Sequence, residues 1–155
     1  MAVAPIPPGY ASVTPYLIVR DAGKAIDFYQ RAFGAVELFR LEGPDGTIGH
    51  AEIKIGNSPV MLADSMGGYP DPLMLGGAAV SFMLYVPDVD AAFARAVAAG
   101  ATVKRPVADQ FYGDRTGTLA DPFGHVWSLS THVEDVAPEE MDRRFQALMK
   151  PAAGA

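Results

Sequence analysis

The chain has 155 residues and a formal charge of −6, with 12 Lys and Arg against 18 Asp and Glu. Such a length suits one domain, or two small halves fused into one, and the acidic balance argues against nucleic acid or an anionic membrane as a partner. Half of the residues are hydrophobic, enough for a real core, and the absence of cysteine excludes a disulfide frame, a thiolate nucleophile and a zinc–thiolate site. No apolar run approaches the length of a membrane span. The opening MAVAPIPPGYA has no basic region followed by an apolar stretch and does not read as a signal peptide, so a cytoplasmic chain is expected.

Residues 1–11 carry three prolines and read as an extended arm. Thr14–Arg20 reads as a strand, after which Asp21 is a helix cap for Ala22–Phe33, with Ile26, Tyr29 and Phe33 on one stripe and Gly34 as the left-handed stop. Ala35–Leu41 and Thr47–Ile55 form a hairpin across the turn Gly43–Gly46, and Pro59–Asp64 is a further strand after Gly56-Asn57. The stretch 65–78, with four glycines and two prolines, is long for a structureless connection and is expected to be a linker between halves or a functional lid. The pattern then restarts. Val80–Val86 is a strand, Asp88 caps a helix over Val89–Ala99, and Gly100 ends it. Strands follow at Ala101–Val107, within Tyr112–Leu119 and at His125–Thr131, and Pro138 opens a terminal amphipathic helix with Phe145 and Leu148 facing inward.

Both halves run strand, helix, strand, strand, strand, and their landmarks repeat. Leu17–Asp21 matches Leu84–Asp88 at an offset of 67, while Gly34-Ala35 matches Gly100-Ala101, and Val60–Leu62 matches Val126–Ser128, at 66. Strand alternation assigns Leu17, Val19, Met61, Phe82, Leu84, Val86, Trp127 and Leu129 to a uniformly apolar face under the helices. The opposite face collects Thr14, Tyr16, Ile18, Leu62, Asp64, Ser81, Met83, Tyr85, Ser128 and Ser130, a mixture that suits a pocket wall. In the third strand Ala51, Ile53 and Ile55 go to the helices, leaving His50, Glu52 and Lys54 for the pocket side.

The phrases Ala25-Ile-Asp-Phe-Tyr-Gln-Arg-Ala-Phe-Gly34, Val86-Pro-Asp-Val-Asp90 with Ala99-Gly-Ala101, and Asp121-Pro-Phe-Gly-His-Val-Trp127 resemble the vicinal-oxygen-chelate superfamily. Gly49-His-Ala-Glu52, Asp109–Arg115 and Thr131–Asp135 resemble its PhnB-like glyoxalase/bleomycin-resistance group in particular. The resemblance spans residues 12–136 and implies an α+β fold. Two tandem βαβββ modules, 12–64 and 79–136, would curve as a mixed sheet around a cleft, joined by the linker 65–78. The arm 1–11 would precede them and a C-terminal helix and tail, 137–155, would follow, with a homodimer as the common assembly. In the family's metal enzymes the ligands come from the first and last strands of each module. Local alignment carries those positions onto Thr14, Leu62, Ser81 and Ser128, none of them a good ligand for a divalent transition metal. No metal and no other cofactor are therefore expected, and the glyoxalase I reaction with them falls away.

Ligand-contact candidates are Tyr16, His50, Glu52, Met83, Tyr85, Gln110, Phe111, Tyr112 and Arg115. His50 and Glu52, two residues apart on one strand face, form a binding pair or an acid–base pair, against the plainer reading of a histidine with a structural bond. Tyr112 and Arg115 would hold an acidic or aromatic ligand; alternatively an Arg–Asp pair there braces a bend. His125 reads as a turn histidine and His132 as a surface residue. The expected function is small-molecule binding without the family metal. A metal-independent lyase or isomerase using His50 and Glu52 is the first alternative, and an interaction module with a collapsed cleft is the second.

Overall fold

The computed structural model describes residues 3–150; residues 1–2 of the expected arm and 151–155 of the expected tail lie outside them. In chain order the elements are β1 Tyr16–Val19, α1 Ala22–Phe33, β2 Val36–Glu42, β3 Ile48–Ile55, β4 Ser58–Asp64, α2 Pro72–Leu75, β5 Ser81–Tyr85, α3 Val89–Ala99, β6 Thr102–Asp109, β7 Asp114–Ala120, β8 Val126–His132 and α4 Pro138–Met149. The expected α+β architecture of two βαβββ modules and a C-terminal helix is what the chain adopts. Its strands divide between two four-stranded mixed sheets, ordered β1-β4-β3-β2 and β5-β8-β7-β6. In each, the first strand of the module runs parallel to the last and the other pairings are antiparallel.

Helices α1 and α3 start where polar side chains meet their free N–H groups. Asp21 Oδ1 accepts from Lys24 N at 3.0 Å and Asp88 Oδ1 from Ala91 N at 3.0 Å. A second acceptor comes from the last strand of the same module. Asp64 Oδ1 takes Ala22 N at 2.7 Å, and Thr131 Oγ1 takes Val89 N at 2.9 Å. Asp64 and Thr131 are equivalent positions of the repeat, so the device is duplicated with a carboxylate in one copy and a hydroxyl in the other. The helices also cap each other's ends: Arg95 Nε donates to Ala32 O at 3.0 Å and an Arg31 Nη donates to Ala99 O at 3.3 Å.

One core joins both modules. Phe28, Tyr29 and Phe33 of α1 pack with Phe123 and Trp127 of the second module, Phe33 and Trp127 having ring centroids 4.8 Å apart. Within this apolar mass lies the carboxylate of Asp121, only 5% exposed. It accepts from Tyr29 Oη at 2.6 Å, Trp127 Nε1 at 2.9 Å, Phe123 N at 2.9 Å and His125 N at 3.0 Å. Every lone pair it offers is used, which is the condition for burying a charge at tolerable cost. Burial pushes the Tyr29 phenol well above its ordinary value, and the neighbouring Asp121 charge adds to the effect. His125, the turn histidine, donates from Nε2 to Ile18 O at 3.0 Å and so ties the second module to β1.

Three sequence expectations are corrected. The register Tyr16↔Met61 and Leu17↔Leu62 turns Leu62 to the helix side, fully buried, and Met61 to the opposite face. The offset of 66 assumed for the last strand caused the exchange. Tyr16↔Met61 and Met83↔Ser128 show that the true offset there is 67. The one-residue deficit of α3 against α1 is made up by a longer β7–β8 turn, Asp121–His125. Asp64 likewise turns its carboxylate inward, holding Ala22 N and Ile48 N, each at 2.7 Å. Finally, α4 has no buried residue: Phe145 lies beside Phe111 with centroids 5.8 Å apart, and Leu148 is exposed.

Tyr29→Phe removes one donor from a buried carboxylate and is expected to cost about 1–3 kcal/mol, read as a lower urea midpoint with an unchanged slope. Asp121→Ala, which strands all four donors, is expected to cost more than Tyr29→Phe on the same measurement.

Candidate functional site

A half-open cavity of about 650 Å³ lies on the first module, lined by Tyr16, Ile18, Gly49, Ala63, Asp64, Met66, Gly67 and Tyr69. That size suits a drug-sized organic molecule. Strand alternation supplies the floor, because Tyr16 and Ile18 of β1 and Ala63 of β4 share the face turned away from the helices. The remaining wall is the segment after β4. Met66, Gly67 and Tyr69 stand between two fixed points. On one side Ser65 N donates to Val19 O at 2.8 Å. On the other, Asp71, wholly buried, caps α2 at Met74 N (3.0 Å) and accepts from Ser65 Oγ at 2.8 Å. The helix α2 seats against Gly124, where an added Cβ would lie 2.9 Å from Pro72 Cβ; that glycine also has φ +90°. The predicted linker or lid is thus an anchored loop with a short helix.

Beside the cavity, Tyr16, His50 and Glu52 form a chain of hydrogen bonds. Tyr16 Oη lies 2.8 Å from His50 Nδ1, and His50 Nε2 lies 3.1 Å from Glu52 Oε1. A carboxylate accepts and cannot donate, so the hydrogen of this bond is on Nε2; a neutral imidazole then offers Nδ1 as acceptor and the phenol donates to it. Phe39 and Tyr16 flank the imidazole, with ring centroids 5.7 Å and 5.4 Å away, and restrict it to this orientation. The Glu52 side chain is 12% exposed and that of His50 23%.

The other sequence candidates are elsewhere. Met83 and Tyr85 lie on the face of the second sheet opposite its helix, in line with a hydroxyl ladder, Thr118–Ser128 at 2.9 Å and Thr116–Ser130 at 2.7 Å. By register, Thr116 and Thr118 occupy the places that His50 and Glu52 hold in the first module. Gln110, Phe111 and Tyr112 form the β6–β7 turn. Gln110 donates to Ala108 O, Phe111 meets Tyr112 edge-on, and Phe111 O accepts from Arg144 of α4. Arg115 is on the opposite face from Thr116, forked onto Asp90 (2.8 and 2.9 Å) with Asp109 at 3.0 Å. Those carboxylates hold its guanidinium charge above even the ordinary arginine range. None of these residues lines the cavity of the first module. Met61, Met66 and Tyr69 were not among the candidates. Asp71-Pro72, a cap residue followed by proline at the first helical position, was the readable signal that the stretch 65–78 is anchored.

The metal-ligand positions that the family resemblance implies fall on Thr14, Ser81 and Ser128 and, with the corrected register, on Met61 in place of Leu62. Three neutral hydroxyls and a thioether do not fit a divalent transition metal that needs imidazole or carboxylate donors. Two of the hydroxyls have internal partners: Ser128 Oγ bonds Thr118 and Thr14 Oγ1 donates to Ala11 O. Among the described residues no group of three or more His, Asp and Glu side chains is gathered that would hold a metal ion.

His132 bridges Asp114 (2.7 Å from Nδ1) and Asp135 (2.9 Å from Nε2), and Tyr85 Oη donates to the other Asp114 oxygen at 2.9 Å. The carboxylates of Asp135 and Asp114 raise the imidazole above its ordinary value. Asp135 is fully exposed, so the buried Asp114 is the lasting partner. Burial alone would raise Asp114, but bonds from His132, Tyr85 and Ser130 outweigh it and hold the carboxyl below the ordinary range. A raised folded value means that the stabilisation from His132 is complete below the ordinary histidine value and disappears as pH climbs through the folded one. The wild-type melting temperature, measured against that of His132→Gln, is expected to fall across this window and to stay parallel above it.

A model of the glyoxalase/bleomycin resistance protein/dioxygenase superfamily matches residues 9–129. The uncharacterised protein Mb0911c of Mycobacterium bovis is 49% identical over 135 residues, covering 84% of this chain and 89% of that one. Among solved structures, TioX from Micromonospora sp. ML1 is similar at 29% identity and TM-score 0.63, covering 82% of this chain and 100% of that chain. A PhnB protein from Bacillus cereus, at 20% identity, TM-score 0.61 and coverages of 78% and 99%, shares the fold.

Proposed function

Since the chain belongs to the glyoxalase/bleomycin resistance protein/dioxygenase superfamily, we propose that it uses the family's fold to bind a small organic molecule without the family's divalent metal. The observation that carries this reading is the pairing of a cavity of about 650 Å³ with hydroxyls and a thioether at the ligand positions. The wall is mostly apolar and aromatic with few polar groups, the usual make-up of a site for a flat organic ligand. Sequestration of such a molecule, in the manner that a resistance protein would use, needs no chemistry beyond this. We further propose that the protein works in the cytoplasm as a homodimer. The homodimer is carried over as the common assembly of the superfamily. No helix of the described residues is long and apolar enough to cross a membrane.

Thermal melting against a panel of aromatic and heterocyclic compounds tests the binding reading. A saturating ligand at a hundred times its Kd is expected to stabilise by about 2.7 kcal/mol, equally with and without nickel, zinc or manganese. Stoichiometric uptake of one of these metals with glyoxalase turnover would overturn it. Light scattering on the same sample is expected to give twice the chain mass of 16.4 kDa, and a monomer would remove the dimer.

The Tyr16–His50–Glu52 chain favours a second reading, a metal-independent lyase or isomerase with His50 and Glu52 as its acid–base pair. Its imidazole is oriented by a carboxylate and bonded to a hydroxyl at the cavity, the arrangement that proton transfer requires. If a turnover is found, His50→Ala is expected to lower kcat by about 100-fold or more; an unchanged kcat would dismiss His50 as the base.

A further inference from the structure

The direction of the Tyr16–His50–Glu52 chain has a meaning for the ligand, which rests on the cavity reading above. Every donor in the chain points away from the cavity. With the imidazole neutral, Glu52 takes the hydrogen on His50 Nε2, and His50 Nδ1 takes the hydrogen of the Tyr16 hydroxyl across the 3.1 and 2.8 Å contacts. The phenol oxygen is left with its acceptor capacity and no hydrogen to give. Tyr16 lines the cavity, is 48% exposed, and its bond to His50 is itself open to solvent, so this oxygen is within reach of a bound molecule. For Tyr16 to donate to a ligand it must give up its 2.8 Å bond to His50 Nδ1.

Apart from the exposed Tyr69 hydroxyl, which can donate as well as accept, the rest of the wall gives the same sign. Among the lining residues, Ile18, Gly49, Ala63, Met66 and Gly67 bring no side-chain donor, and none is basic. Asp64 borders the cavity, but its carboxylate is turned inward onto two backbone N–H groups and has nothing to donate. Tyr16 and Tyr69 contribute π faces, which attract a cation. The chain as a whole carries a formal charge of −6.

We infer that the cavity selects molecules with an apolar, flat body and a hydrogen-bond donor, a hydroxyl or a protonated amine, that meets the Tyr16 oxygen, and that it discriminates against ligands whose polar group only accepts. Tyr16 is the specificity-determining residue, and His50 and Glu52 set the direction of its bond. A site that accepts a bond from its ligand rejects the analogue that cannot make it, because the polar groups of both partners are left unpaired.

The test uses four probes of one size: naphthol and naphthylmethylamine as donors, methoxynaphthalene and acetylnaphthalene as acceptors. Affinities are measured by calorimetry on the full chain in mildly alkaline buffer. The donors are expected to bind about tenfold or more tighter than the acceptors. Tyr16→Phe keeps the ring and removes the oxygen; it is expected to bring all four affinities within about threefold of one another, through loss on the donors. His50→Phe frees the Tyr16 hydroxyl to donate and is expected to raise the affinity for acetylnaphthalene above that of the unchanged protein. If all four probes bind the unchanged protein equally, or if Tyr16→Phe keeps the preference, the donor rule is wrong while the cavity reading stands. If none of the four binds, the cavity reading fails and the donor rule with it.

Discussion

A single buried carboxylate holds the two halves of this molecule in register. Asp121 sits in an aromatic interior where an unpaired charge would be prohibitive. It is tolerated because α1 of the first module and the β7–β8 turn and strand of the second all send donors to it. The requirement is mutual: the hydroxyl of Tyr29 and the indole N–H of Trp127 also need a buried acceptor. Ring packing alone is non-directional and would allow the modules to slide. Four hydrogen bonds converging on two oxygens allow one arrangement, and the crossed arginine caps at the helix ends reinforce it.

Duplication explains the frame, and the differences between the copies explain the site. Both modules use a capping Asp, a glycine stop, a parallel first-to-last strand pair and an acceptor from the last strand to the helix start. They part on the faces away from the helices. His50 and Glu52 in one copy are Thr116 and Thr118 in the other, and Met61 answers Ser128. Residues on that face contribute little to the core, so each module could change its chemistry without losing its fold.

The elements were legible because caps, glycines and apolar stripes act locally. Asp21, Gly34, Asp88 and Gly100 bound α1 and α3 at the residues expected. Trp127 is core and His50 and Glu52 share a face, as strand alternation requires. What was not legible depends on register. A one-residue error in matching the last strands turned Met61 and Leu62 onto the wrong faces, since period two converts any slip into an inversion. Arg115 reads as a ligand group by type, yet its partners Asp90 and Asp109 are brought to it by tertiary structure. The apolar residues of α4 look inward on a helical wheel, but a wheel does not say whether a neighbour is present.

The loop after β4 is fastened at both ends, by Ser65 to β1 and by α2 against the β7–β8 turn that carries Asp121. Between those fastenings Met66, Gly67 and Tyr69 supply one wall of the cavity and take no part in either sheet. The cavity therefore has two parts of different standing, a floor that belongs to the sheet and a wall that belongs to the loop. Substitution at these three positions would alter the shape of the cavity while the core and the capping carboxylates stay as they are.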